Sequence, residues 1–248
     1  MNAADLIAAL ELPAGVRIDQ RVPKKLLLEN GAPTSADKRY INEGIEELQW
    51  IAALKPTTIG VPEYRDEVRE YLEIAVLQLT LRASANAGRI VSLVHRAVPY
   101  PVLLFTDKGE LPGVSAAHKR WSLGEAGKTV LDGDVVAVEW EKTYDSAFRE
   151  ALTLSHQPRN TLYSLYQGWF DTLLSLQAAQ LTGAFVKPAS AEHAAARHEA
   201  LLECARLEAE IARLRSAAEK EKQLPRKVEL NLELKRLQAL QAAARAKL

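Results

Sequence analysis

The amino-acid sequence predicts an α+β fold: a mixed sheet of about five strands with flanking helices, followed by a C-terminal helical hairpin or coiled coil. Three observations predict it. "YLEIAVLQLTLR" alternates with a period of two, and "PVLLFT" is a short run that is apolar throughout, so both read as strands. "GRIVSLVHRAV" lies between them and repeats its apolar residues at helical spacing, so a helix crosses from one strand to the next. Residues 188–248 are rich in Ala, Glu, Leu, Arg and Lys, which is the composition of a long helix or coiled coil.

Each element has a local reason. Residues 3–11 form a short helix stopped by Pro13 and Gly15. "VPKKLLLENG" forms a second, with Pro23 at its start and Gly31 past its end. "TSADKRYINEGIEELQWIAALKP" reads as one long helix. Thr34 or Ser35 caps it, Tyr40, Ile41, Ile45, Leu48, Ile51 and Ala52 recur at helical spacing, and Pro56 ends it. In the alternating strand Leu77, Leu79 and Leu81 share one face. Lys108-Gly109 turns the chain after "PVLLFT", and "GVSAAHKRW" and "VVAVEW" supply further strands. "SAFREALTL" and "NTLYSLYQGWFDTLLSLQAAQL" are helices, the second with Leu162, Leu165, Trp169, Leu173 and Leu176 on one stripe.

Near the C-terminus Leu207, Ile211, Leu214 and Ala218 step by four, three and four, and Leu230, Leu234 and Leu237 repeat the first two steps. Pro225 breaks or sharply kinks the helix between them, and a hairpin with arms roughly 35–45 Å long is expected. The seam needs a partner helix, in cis or from a second copy. The expected divisions are a core at 1–143, a helical extension at 144–187 and the hairpin at 188–248.

Composition narrows the function. Thirty-two basic residues balance 32 acidic ones, so nucleic-acid contact has to come from local patches. The single cysteine, Cys204, makes neither an intrachain disulfide nor a zinc site. No apolar run is long enough to span a membrane, and the N-terminus lacks a basic start followed by an apolar stretch, so a cytoplasmic protein is expected. "SLGEAGKT", residues 122–129, ends like a phosphate-binding loop. Such a loop needs glycine where Ser122 stands, and a helix after Thr129, where a strand pattern follows. It reads as a turn between strands, and no cofactor is expected.

Three stretches carry a resemblance: "RVPKKLLLENGAPTSADKRYINEGIEELQWIAALKPTTIGVP", "VHRAVPYPVLLFTDKGE" with "AAHKRW", and "EKQLPRKVELNLELKRL". Over about residues 10–240 the chain resembles a bacterial family of domains of unknown function. The genes of that family stand beside Snf2-type helicases and site-specific DNA methyltransferases in phage-defence islands. The resemblance implies a restriction-like setting and a helicase or methyltransferase partner from the same operon. It supplies no catalytic residues.

Two kinds of chemistry fit such a setting. Lys24-Lys25, Lys38-Arg39 and His118-Lys119-Arg120 are basic clusters, and Tyr40 and Trp121 beside them can stack on bases. If the fold gathers them, they make a patch for phosphates; otherwise they are solvated charge paired with acids such as Asp37 and Glu43. A metal-dependent nuclease is the alternative, and it needs carboxylates around a divalent ion. Glu73, Asp134, Glu139 and Glu141 are the candidates, with solvated strand-edge charge as the plainer reading. His193 and His198 are five apart, which does not stack them on one helical face, and no metal site is expected. The sequence therefore points to a non-catalytic accessory subunit of a bacterial anti-phage complex. Such a subunit binds DNA or a helicase or methyltransferase partner, and its C-terminal helices offer a route to a homodimer.

Overall fold

The computed structural model describes residues 2–109, 111–140 and 142–248. It is a mixed α/β structure with a six-stranded sheet, flanking helices and two long C-terminal helices packed on each other. The chain separates into two compact units, residues 1–173 and 174–248.

The first unit begins with α1 (Ala3–Ala8), β1 (Arg17–Arg21), α2 (Lys24–Asn30) and α3 (Ser35–Gly44). It continues with β2 (Ile45–Leu54), α4 (Pro56–Ile59), the small hairpin β3 (Tyr64–Arg65) and β4 (Glu70–Tyr71), and β5 (Ile74–Leu81). Then come α5 (Ala87–Ala97), β6 (Val102–Asp107), β7 (Pro112–Trp121), β8 (Thr129–Glu139), α6 (Asp145–Leu152) and the start of α7 (Leu162–Thr182). The sheet order is β1-β2-β5-β6-β7-β8. β5 and β6 are parallel, joined by α5 as expected, and the other neighbours are antiparallel.

The expected long helix from Thr34 to Lys55 is instead α3 followed by a ten-residue strand, β2. Its helical start is as read: the Thr34 hydroxyl accepts from the Asp37 N–H. The error has a physical cause. β2 carries bulges between Ile45 and Glu47 and between Trp50 and Ala52. The first bulge lets Ile45 and Leu48 face the same side, opposite Leu81 and Leu79, although they are three residues apart. Each extra residue shifts the two-residue alternation into something that resembles a helix. With β1 and β2 the main sheet has six strands.

The sheet is covered on both faces. On one, Leu77, Leu79 and Leu81 pack with Ile90, Leu93 and Val94 of α5, Leu27 of α2 and Ile41 of α3. Burying each such side chain contributes about 1.5–3 kcal/mol. On the other, the Tyr166 hydroxyl of α7 accepts from the Ala117 N–H at 2.9 Å and donates to the Val102 carbonyl at 2.7 Å. β8 is an outer strand. The Asp132-Gly133 pair lies inside it: Gly133 takes φ +85°, which favours glycine, and the β7–β8 register slips there.

In the second unit α8 (Ala191–Lys220) and α9 (Leu224–Arg245) form the hairpin. Pro225 stands in the first turn of α9, where a missing N–H costs nothing. Leu207, Ile211, Leu214 and Ala218 pack with Leu234, Leu237 and Ala244, so each arm buries the seam of the other in cis. The 30 residues of α8 extend about 45 Å.

Candidate nucleic-acid interface

The run His118-Lys119-Arg120 lies on β7, and strand alternation sends its members to different places. His118 is buried against α7, its ring 4.6 Å from that of Phe170, with its Nδ1 2.6 Å from the Tyr71 hydroxyl. Lys119 points to the opposite face. Its buried ammonium donates to the His95 carbonyl and, at 2.8 Å, to the Val98 carbonyl, capping the C-terminus of α5. A cation there also complements the helix dipole. Burial pushes the Lys119 amine down to about 8. His95, fully buried beside the Ser115 hydroxyl at 3.0 Å, is held at about 3 by burial and then by Lys119, so it stays neutral.

Arg120 is only half-buried. It stands 3.8 Å from Asp132, whose carboxylate also accepts from Arg69 at 2.6 Å. The Arg69 guanidinium lies over the Tyr163 ring, 5.5 Å from its centre. Two arginines on one carboxylate leave an excess of positive charge at this end of β7.

Arg120 opens onto a groove of about 570 Å³. Arg96 from the last turn of α5 and Lys128 from the β7–β8 turn line it as well, with Glu29 as an acid at its side. Leu123 stands on its wall almost wholly exposed. Gly31 also lines the groove. A Cβ there would fall 2.7 Å from the Ala97 Cβ and 2.8 Å from the Leu93 carbonyl, so only glycine lets α2 end this close to α5. The turn itself is the "SLGEAGKT" stretch. The Ser122 hydroxyl accepts from the Gly124 and Glu125 N–H groups, Lys128 pairs with Glu125 at 2.8 Å, and β8 follows rather than a helix.

The other sequence-selected cations are placed differently. Lys24 donates to the carbonyls of Asn42, at 3.2 Å, and Ile45, and Arg82 to that of Glu43 at 2.8 Å, so these two cations cap the end of α3. Burial, then Arg82 and Arg21, lower the Lys24 amine. Lys25, Lys38 and Arg39 are exposed on α2 and α3, with Lys25 3.6 Å from Glu29 and Arg39 4.0 Å from Glu43. Asp37 does not pair with its basic neighbours. Arg89 holds it bidentately at 2.7 and 2.9 Å, and these bonds, with that from Thr34, lower its carboxyl to about 2.

Among the acidic candidates, Glu73 lies just before β5, buried, 3.0 Å from the Lys55 ammonium. Asp134 and Glu139 are exposed on β8, roughly 15 Å apart along the strand. Glu141 lies outside the described residues. Among the described residues no three His, Cys, Asp or Glu side chains are grouped to hold a metal ion, and no helix is long and apolar enough to cross a membrane.

Sequence reasoning passed over Arg96 and Lys128. The signal for Arg96 was present: Val94 faces the core, and two positions on turns the side chain to the far side of the helix.

The family described as a domain of unknown function (DUF4391) matches residues 10–240, spanning the sheet, the groove and most of the hairpin. The chain belongs to this family. Neither a search of curated proteins nor one of solved structures returns a match.

Proposed function

We propose that the protein is a non-catalytic accessory subunit of a bacterial anti-phage, restriction-like complex, and that its groove binds the nucleic-acid backbone. The observation that carries the binding reading is the placement of Arg96, Arg120 and Lys128 around one open groove. Arginine forks suit phosphate oxygens, and an open groove admits a continuous strand. The exposed Leu123 offers an apolar contact beside the cations. The resemblance supports the defence setting and a Snf2-type helicase or DNA methyltransferase as partner, with the C-terminal hairpin as the docking element.

Fluorescence anisotropy with labelled single- and double-stranded DNA, from about 50 to 200 mM salt, tests the groove. Binding is expected to weaken steeply with salt. Arg96→Glu with Arg120→Glu should weaken it at least tenfold and reduce the salt slope by about 2. Unchanged affinity in the double variant would remove the groove from the binding surface.

A further inference from the structure

α9 is apolar on two faces. Its inner seam, Leu234, Leu237 and Ala244, is buried against α8. A surface helix with one partner needs one such stripe. Yet Val228, Leu232, Lys235, Ala239 and Ala242 step by four, three, four and three along the outer side, a second heptad seam with a single polar member. All five are exposed, Val228 at 49% and Leu232 at 63%.

The geometry points to a second copy of this chain, packed antiparallel on the outer face of α9. Two features select that occupant. The first is shape. With the two-fold axis midway between Leu232 and Lys235, Val228 meets Ala239 of the second copy, and Leu232 meets the alkyl stem of its Lys235. Large side chains then oppose small or slender ones in both of these layers, as close helix packing needs. The second is charge. Glu229 and Arg236 each follow a seam position, seven residues apart on one flank. In an antiparallel pair like flanks face each other, so Glu229 of one copy lies beside Arg236 of the other, twice over by symmetry. In the single chain these residues make exposed pairs, Arg226 with Glu229 at 2.9 Å and Arg236 with Glu233 at 3.3 Å. Exposed pairs of this kind are weak, so exchanging them for pairs across an interface costs little.

The inference concerns assembly and is read by mass, so its outcome is separate from that of the DNA-binding test. Sedimentation equilibrium of the full chain, at about 1–100 µM, should give twice the 27.4 kDa chain mass. Leu232→Glu should give the single-chain mass. Leu240→Glu, exposed but off the seam, should leave the dimer whole. Glu229→Arg alone should weaken association at least tenfold, and Glu229→Arg with Arg236→Glu should restore it. Circular dichroism checks that each variant keeps its helix; the substituted side chains are exposed in the single chain, so the fold should hold. A wild-type monomer at the highest concentration would overturn the proposal and assign the stripe to a different partner. So would a dimer that survives Leu232→Glu, or a charge swap that fails to rescue.

Discussion

The sheet unit and the hairpin unit are held together by opposite means. In the first, β2 pairs with β5, so residues 45–54 depend on residues 74–81. Lys119 there is buried on carbonyls at the end of α5. In the second, α8 packs on the helix that follows it, through an aliphatic heptad seam. Stability built on distant pairings is lost as a whole, whereas a hairpin seam loosens one layer at a time. The first unit is thus cooperative and the second locally specified.

All four tryptophans, Trp50, Trp121, Trp140 and Trp169, lie in the sheet unit, so their fluorescence reports on that unit alone while far-ultraviolet circular dichroism reports on both. The largest effect should come from Trp169→Ala. The indole is fully buried and donates to the Leu152 carbonyl at 2.8 Å, and its loss should cost about 3–5 kcal/mol in urea unfolding followed by fluorescence. Leu234→Ala in the narrower hairpin seam should cost about 2 kcal/mol. It should move the circular dichroism transition and leave the fluorescence midpoint in place; a shared shift would show that the two units unfold together.

A third test turns on pH. The folded Lys119 amine sits near 8, below its ordinary 10.5. Between those values the unfolded chain holds more protons, so this residue makes stability rise with pH across that window. Lys119→Met should abolish the rise. A wild-type profile that the substitution leaves unchanged would break the reading of a charged, buried cap. The smallest effect belongs to Arg206, which pairs with Glu203 on the open face of α8 at 2.7 Å. Arg206→Ala should leave the unfolding midpoint where it was.

What the sequence made legible follows the same divide. The hairpin, its break just before Pro225 and its seam are written in neighbouring residues, and so is the crossover through α5. β2 was not legible, because its bulges disguise a strand period and its identity comes from pairing with a distant strand. The basic run on β7 misled for a related reason. Adjacent strand residues diverge, and both faces of this sheet are covered, so Lys119 went inward while Arg120, nearer the strand end, reached the groove. Arg96 joined it from a helix more than 20 residues earlier, a neighbourhood that the fold creates.

The slip in β8 has a consequence for life in a crowded solution. A straight outer strand of eleven residues would offer its free backbone as a template to any extended chain. The left-handed Gly133, followed by exposed Asp134 and Glu139, divides that margin into short, charged lengths that discourage runaway stacking into fibrils.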